Sequence, residues 1–501
     1  MGQPAGSNKE KPDVLQAHIE HRSGFARRGA VSSGDRLVGK QEKSASKTEE
    51  PPITPATGVL EDYERTRVPE LEGRGLLGMT LVLMSLCVAI PSLLLGAALV
   101  EGMGLRRTIS ATLWGALVGT PICILAAHVG VRSRLSTAMT LKFAFGTAGS
   151  KLISAIIALD MFCWFAVNTE IFGTSLRDSA QSIWGLSLAM PLLCVVAGVL
   201  MTALTIFGYK AVEKFAYLAV PLLAVVLFSY LISSLMRSSF HEVLARPAFG
   251  VPMSYPIGIS IVAGTFLSVA LLMPDFTRYS KSVTQSALAV VFGLTCGFPP
   301  FVLIGAYLTA VSQEKDFVKL MLTAGWGLAA VLIIVLTCWI HMNSCLYSAS
   351  LNLAAIIPHI PKWKLTMGAG LAGTCIALLG IVDRYVPFLV VLSVVLPPIA
   401  SVFAADYLLR RNLYRIGSFE GVDRIRPIAA VALFAGILVG FVTTPSGQMG
   451  MGLFSLTHLP AIDSFLVAFG CQYLLGKLFV HTPEQEPEVI GKSALRRSDG
   501  A

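Results

Sequence analysis

Apolar runs of about 20 residues, the length that carries a helix across a bilayer, recur along most of this chain. Twelve fall at roughly 75–100, 108–130, 151–173, 188–208, 212–236, 257–273, 286–310, 326–357, 364–382, 386–409, 427–444 and 458–480. Such a pattern predicts an all-α polytopic membrane protein with twelve transmembrane helices. Composition agrees, because 54% of the 501 residues are hydrophobic and only 14% charged, a balance foreign to water-soluble domains of this size.

The first 74 residues have no apolar face to bury and are rich in Ser, Lys, Glu and Pro, so a disordered amino-terminal tail is expected over 1–74. No apolar segment opens the chain, which leaves the first span as its own insertion signal. With the amino terminus inside, 31 of the 39 Lys and Arg fall in cytoplasmic segments. That asymmetry predicts both termini in the cytoplasm of a multi-pass integral protein, with a second tail over 481–501. The basic residues are dispersed among short loops, which speaks against a nucleic-acid partner. All nine cysteines lie in apolar runs and none forms a CxxC pair, so neither a disulfide framework nor a metal site is expected.

A charge near the bilayer centre costs several kcal/mol unless it faces a cavity or a partner. The stretch LDMFCWFAVNTE, residues 159–170, carries two carboxylates inside an apolar run. Asp160 stands about 13 Å along the helix from Lys151, at about 1.5 Å per residue. Trp164 and Asn168 follow at i+4 and i+8 and share its face, whereas Glu170 points elsewhere, near the outer mouth. His341 occupies the middle of the eighth run. A structural acid satisfied by neighbouring hydroxyls, a solvated Glu170 and a core-bonded His341 are the competing readings.

Helix discontinuity adds a second signal. Pro91 lies in the middle of the first run, and the sixth has Gly264 inside and Pro274 at its end. Proline removes an intrahelical donor, and freed backbone groups are tolerated at membrane depth only where protein or a cavity satisfies them. Broken helices in first and sixth place are what an inverted five-plus-five repeat predicts, over 75–236 and 257–409, meeting around a midplane site. Helices eleven and twelve, over 427–480, lie outside the repeat.

Four segments carry a resemblance: GVRSRLSTAMTLKFAFGTAGSKLISAIIALDMFCWFAVNTEIFG, GTFLSVALLMPDFTRYSKS, CWIHMNSCLYSASLNLAAI and LSVVLPPIASVFAADYLLRR. In this order they resemble the signature segments of the nucleobase–cation symporter family, most like its cytosine permease branch, from about Gly73 to Arg411. The resemblance implies a leucine-transporter-like fold and a secondary active transporter that imports a planar heterocycle by ion-coupled alternating access. It also implies a sandwich of the heterocycle between aromatic residues of helices three and six, here Trp164 and Phe266, with Ser268 at a substrate-contacting position. Asp160, Asn168 and Asn343 are further candidates for the ring edge. The family often has a glutamine three residues before the tryptophan; here Met161 stands there.

Sodium-coupled members use two adjacent hydroxyl residues of helix eight. Ile340 and His341 stand at those places, and neither offers an oxygen to a hard cation. A proton is therefore the expected coupling ion, carried by Asp160 or His341, since imidazole titrates near neutral pH and a desolvated carboxyl can hold a proton. Glu170 is the expected outer gate, and no cofactor is expected. Relatives that carry hydantoins, allantoin or vitamin precursors keep other cargo open on the same fold. A membrane enzyme would need a catalytic constellation, which the apolar segments do not supply. A channel would need a filter ring in a symmetric oligomer.

Overall fold

The first apolar run does not make one helix. In the computed structural model, which describes residues 63–206, 209–314, 316–416, 419 and 421–479, it forms α1 (Leu76–Ser85) and α2 (Ile90–Met103), bent by 53° at a four-residue break. Pro91 lies in the first turn of α2, where its missing N–H costs nothing. The break itself is residues 86–89, with Ala89 extended.

Next come α3 (Leu105–Ser133), α4 (Thr137–Trp184), α5 (Met190–Thr205), α6 (Tyr209–Arg237), the short α7 (Phe240–Ala245), α8 (Tyr255–Thr277) and α9 (Val283–Val290). They are followed by α10 (Phe298–Ser312), the short α11 (Phe317–Thr323), α12 (Gly327–Ile356), α13 (Lys362–Ala377), α14 (Tyr385–Leu409), the short α15 (Arg411–Ile416), α16 (Pro427–Thr443) and α17 (Pro460–Phe479). Among the described residues, eight helical stretches are long and apolar enough to cross a membrane, and the bent pair makes a ninth. The shorter α5, α13 and α16 coincide with three further expected runs.

The bundle is inside-out relative to a soluble protein. Leu117, Val199, Val225 and Phe434 are exposed on its outside, whereas Asp160, Asn168, Asp275, Asn343 and Asp406 are buried. Packing relies on small residues, as expected where helices gain nothing from hiding apolar surface from lipid. Gly96 of α2 lies on the backbone of Val302, and Gly305 of α10 lies on the backbone of Leu93; a methyl group at either would overlap main-chain atoms. Similarly, Gly115 and Gly119 of α3 receive Val262 and Phe266 of α8, and Gly198 and Gly370 seat Thr374 and Thr202 between α5 and α13. α4 runs along α12, α1 touches α6, and α8 touches α14.

Two expectations are corrected. The sixth span is unbroken: α8 runs from Tyr255 to Thr277 through Gly264 and Pro274. Gly264 is a contact glycine, pressed against Ser393 of α14, and Pro274 falls in the last turn. The disordered tail expected through residue 74 is wrong over 63–74. Arg278 and Ser136 donate to the carbonyls of Tyr63 and Glu64 at 2.7 and 3.1 Å. Arg134 and Val68 hydrogen-bond reciprocally, Val68 is 1% exposed, and Arg74 pairs with Ser280 in a short parallel bridge. Residues 1–62 and 480–501, including the expected tails there, lie outside the described residues.

Candidate functional site

Side chains tie the carbonyls at and beside the break between α1 and α2. Ser92 Oγ donates to Cys87 O at 2.6 Å, and Tyr385 Oη, from the first turn of α14, donates to Pro91 O at 2.7 Å. Beside this break lies a narrow cavity of about 50 Å³, room for a few water molecules. Its walls come from the break, from Met161 and Trp164 of α4, Thr265 and Ser268 of α8, Phe298 of α10, His341 and Cys345 of α12, and Tyr385 of α14.

Asp160 stands directly behind this wall. Ser268 Oγ donates to its Oδ2 at 3.0 Å, joining α4 to α8, while its buried Oδ1 has no hydrogen-bond partner. One turn on, Trp164 is framed edge-on by His341, Tyr385 and Phe388, at centroid distances of 5.9, 6.3 and 5.2 Å. Both ring nitrogens of His341 are buried without a hydrogen bond of good geometry.

Other expected site residues do not reach the cavity, for a geometric reason. On a continuous helix, residues two apart point about 200° from one another. Ser268 lines the cavity with Thr265, Val269 and Leu272, whereas Phe266, a helical neighbour of Val269, lies over Gly119 and meets Phe298 of the cavity wall edge-on at 5.3 Å. The same spacing separates His341 from Asn343, whose Oδ1 accepts from Thr205 Oγ1 on α5. Asn168 folds back on its own helix, Nδ2 donating to Trp164 O at 2.7 Å.

Tyr385 also lines a second cavity, on the far side of its ring, with Glu101, Asp316 and Asp383 on its walls. Glu170 lies next to it and accepts from Val382 N at 3.0 Å, which fixes the turn leading into α14. Asp316 caps α11 by accepting from Val318 N and Lys319 N, and burial raises its carboxyl above the usual carboxylate range.

At the opposite end of the bundle, the fully buried Arg278 donates to Tyr63 O, to Tyr347 Oη at 2.9 Å and to Tyr279 Oη at 3.2 Å. Asp275 Oδ1 accepts from Thr137 N at 2.8 Å. A further polar cluster joins Asp406 to Arg410, Arg426 and Tyr414.

Sequence reasoning missed Tyr385, Phe298 and Thr265. A tyrosine at the start of an apolar run reads as an interfacial anchor, and nothing local marks it as the wall between two cavities.

Comparison with known proteins finds the same architecture elsewhere. The cytosine permease of Escherichia coli (strain K12) is 25% identical over 379 residues, covering 76% of this chain and 88% of that protein. Among solved structures, the nucleobase-cation-symport-1 family transporter Mhp1, closed with bromovinylhydantoin bound, aligns with a TM-score of 0.69 at 17% identity, covering 84% of this chain and 97% of Mhp1. MhsT in complex with L-phenylalanine aligns at a TM-score of 0.53 and 15% identity, covering 80% and 98%. Those structural alignments show a shared fold. Residues 72–456 match the family of permeases for cytosine/purines, uracil, thiamine and allantoin, well over half of the chain, and the protein belongs to that family.

Proposed function

We propose that this permease is a secondary active transporter that carries a nucleobase by ion-coupled alternating access, binding it beside Trp164. The observation that carries this reading is the gathering of Trp164, Ser268 and His341 on the walls of one cavity at the break of the first span, with Asp160 behind them on Ser268. Stacking of a base on an aromatic ring contributes roughly 1–3 kcal/mol and tolerates different ring systems. In this reading Trp164 is the stacking surface, Phe298 replaces Phe266 as the opposing aromatic wall, and Ser268 with Asp160 meets the ring edge. Asn168 and Asn343 hold the helices that carry the site.

A five-plus-five repeat is supported by pairwise packing. Exchanging each of the first five spans with its counterpart five places later turns the α3–α8 contact into the α10–α2 contact, and α1–α6 into α8–α14; all four occur. The α4–α12 contact maps onto itself. Twelve crossings and cytoplasmic termini follow from this repeat and from the loop charges.

A proton is the coupling ion in this reading. Ile340 is buried and His341 sits on the cavity wall, while the nearby hydroxyls of Thr337 and Ser344 donate back to their own helix at 2.6 and 3.1 Å. Neither Ile340 nor His341 carries a side-chain oxygen for a hard cation. His341 and Asp160 remain as proton carriers, and Glu170 acts at the outer entrance through the turn it fixes. Uptake of radiolabelled cytosine and adenine by the purified protein in proteoliposomes tests this. Saturable uptake that is equal in sodium and choline buffers, accelerated by an inward proton gradient and abolished by Trp164→Ala is expected. Sodium-dependent uptake would overturn the ion assignment, and uptake surviving Trp164→Ala at wild-type affinity would overturn the site.

A further inference from the structure

One outward stripe of α3 ends in a cluster of cations. Trp114, Leu117, Pro121, Leu125, His128 and Arg132 follow one another at intervals of three or four residues, so they lie on one face of the helix. Trp114 and Leu117 are exposed, as a stripe that faces lipid should be. From Leu117 to His128 it rises about 16 Å, close to the depth of one bilayer leaflet. At its end Tyr407 of α14 meets His128, with ring centroids 5.8 Å apart. The guanidiniums of Arg132 and Arg411 both act on that imidazole and on the Tyr407 hydroxyl. Among the described residues neither arginine has an ion pair. The nearby carboxylate of Asp406 is taken by Arg410 and Arg426 instead.

The negative end of the α3 dipole accounts for one cation in its last turn, Arg132. It gives no reason for bringing Arg411 from another helix to the same spot, where the two charges repel. A phosphate would reverse that repulsion, because the guanidinium fork matches phosphate oxygens two hydrogen bonds at a time. Clusters of basic residues between the ends of membrane helices bind anionic headgroups for this reason. We infer that His128, Arg132, Tyr407 and Arg411 form a site for the phosphate of an anionic phospholipid, with an acyl chain laid along the α3 stripe. Free phosphate would satisfy the arginines equally well but would leave the stripe uncovered, so the lipid is the occupant. Held there, the headgroup joins the end of α3 to the end of α14, on a surface separate from the cavity beside Trp164.

Native mass spectrometry of the purified protein in neutral detergent reads lipid occupancy directly. Phosphatidylglycerol should bind about tenfold or more tightly than phosphatidylcholine, whose choline cation offsets the phosphate charge. Arg132→Gln combined with Arg411→Gln should erase that preference. Arg106→Gln combined with Arg107→Gln takes the same charge from two exposed positions at the other end of α3 and should leave it intact. Glycerol phosphate, a headgroup without chains, should not displace the lipid at equal concentration. Phosphatidylglycerol carrying a photoreactive headgroup should label peptides holding residues 128–132 and 407–411. That labelling is read on the unaltered protein and decides the matter if the first double variant does not fold. Equal binding of the two lipids, equal loss in both double variants, or label confined to other parts of the chain would overturn the inference. Displacement by glycerol phosphate would overturn the lipid as occupant.

Discussion

The cavity is sealed very differently on its two sides. Toward the second cavity the seal is one aromatic ring held by one hydrogen bond, from Tyr385 to Pro91 O. Toward the Arg278 end it is a layered network: Thr137 on Asp275, Arg278 on Tyr347, Tyr279 and Tyr63, and the chain at 63–74 laid over the helix ends. A single neutral hydrogen bond contributes about 1 kcal/mol net, whereas breaking into a buried, charged, hydrogen-bonded group costs about 3–5 kcal/mol. One side of the site is therefore poised to open by a side-chain movement, and the other only by a concerted rearrangement of several elements.

Cys87 and Cys345 line the cavity and serve as built-in reporters of which seal has failed. The largest effect is expected from Arg278→Ala, which leaves Asp275 without its neighbouring cation and cuts the tie to Tyr63 and Tyr347. Stability should fall by about 3–5 kcal/mol. Alkylation of Cys87 by an impermeant thiol reagent, located by mass spectrometry, should rise from the Arg278 side, and its failure to rise would dissolve the contrast between the two seals. Tyr385→Phe removes a single hydroxyl and should cost about 1 kcal/mol. Here Cys87 should become more reactive from the Tyr385 side, with substrate dissociation up to about fivefold faster in stopped-flow measurements. Arg67→Ala takes away one exposed bond, to Arg415 O, and should change the thermal midpoint by no more than about 0.5 kcal/mol equivalent.

The contrast also explains what could be read from sequence. Asp160 and Trp164 were legible because a carboxylate at membrane depth is expensive and its spacing from the tryptophan is one helical turn. The apolar runs were legible because length and hydropathy are local. The Arg278 network was not, since the chain at 63–74 is tied by its own carbonyls, by the N–H groups of Val68 and Arg74 and by the Arg65 and Arg67 side chains to partners remote in the chain, which no local pattern marks. Tyr385 needed tertiary knowledge, because its partner Pro91 is far away in the chain.

Gly96 and Gly305 carry a mechanical consequence. Where two helices meet main chain on main chain, there is no layer of side chains to shear, repack or act as a bearing. Through these two positions α2 and α10 are keyed to each other, one from each half of the chain. We infer that they turn as a single lever whichever seal opens, so the pivot of the machine lies outside this pair. A cysteine cross-link between α2 and α10 beside the two glycines should then leave turnover running at its ordinary rate, and a cross-link that stopped the transport cycle would place the sliding surface there.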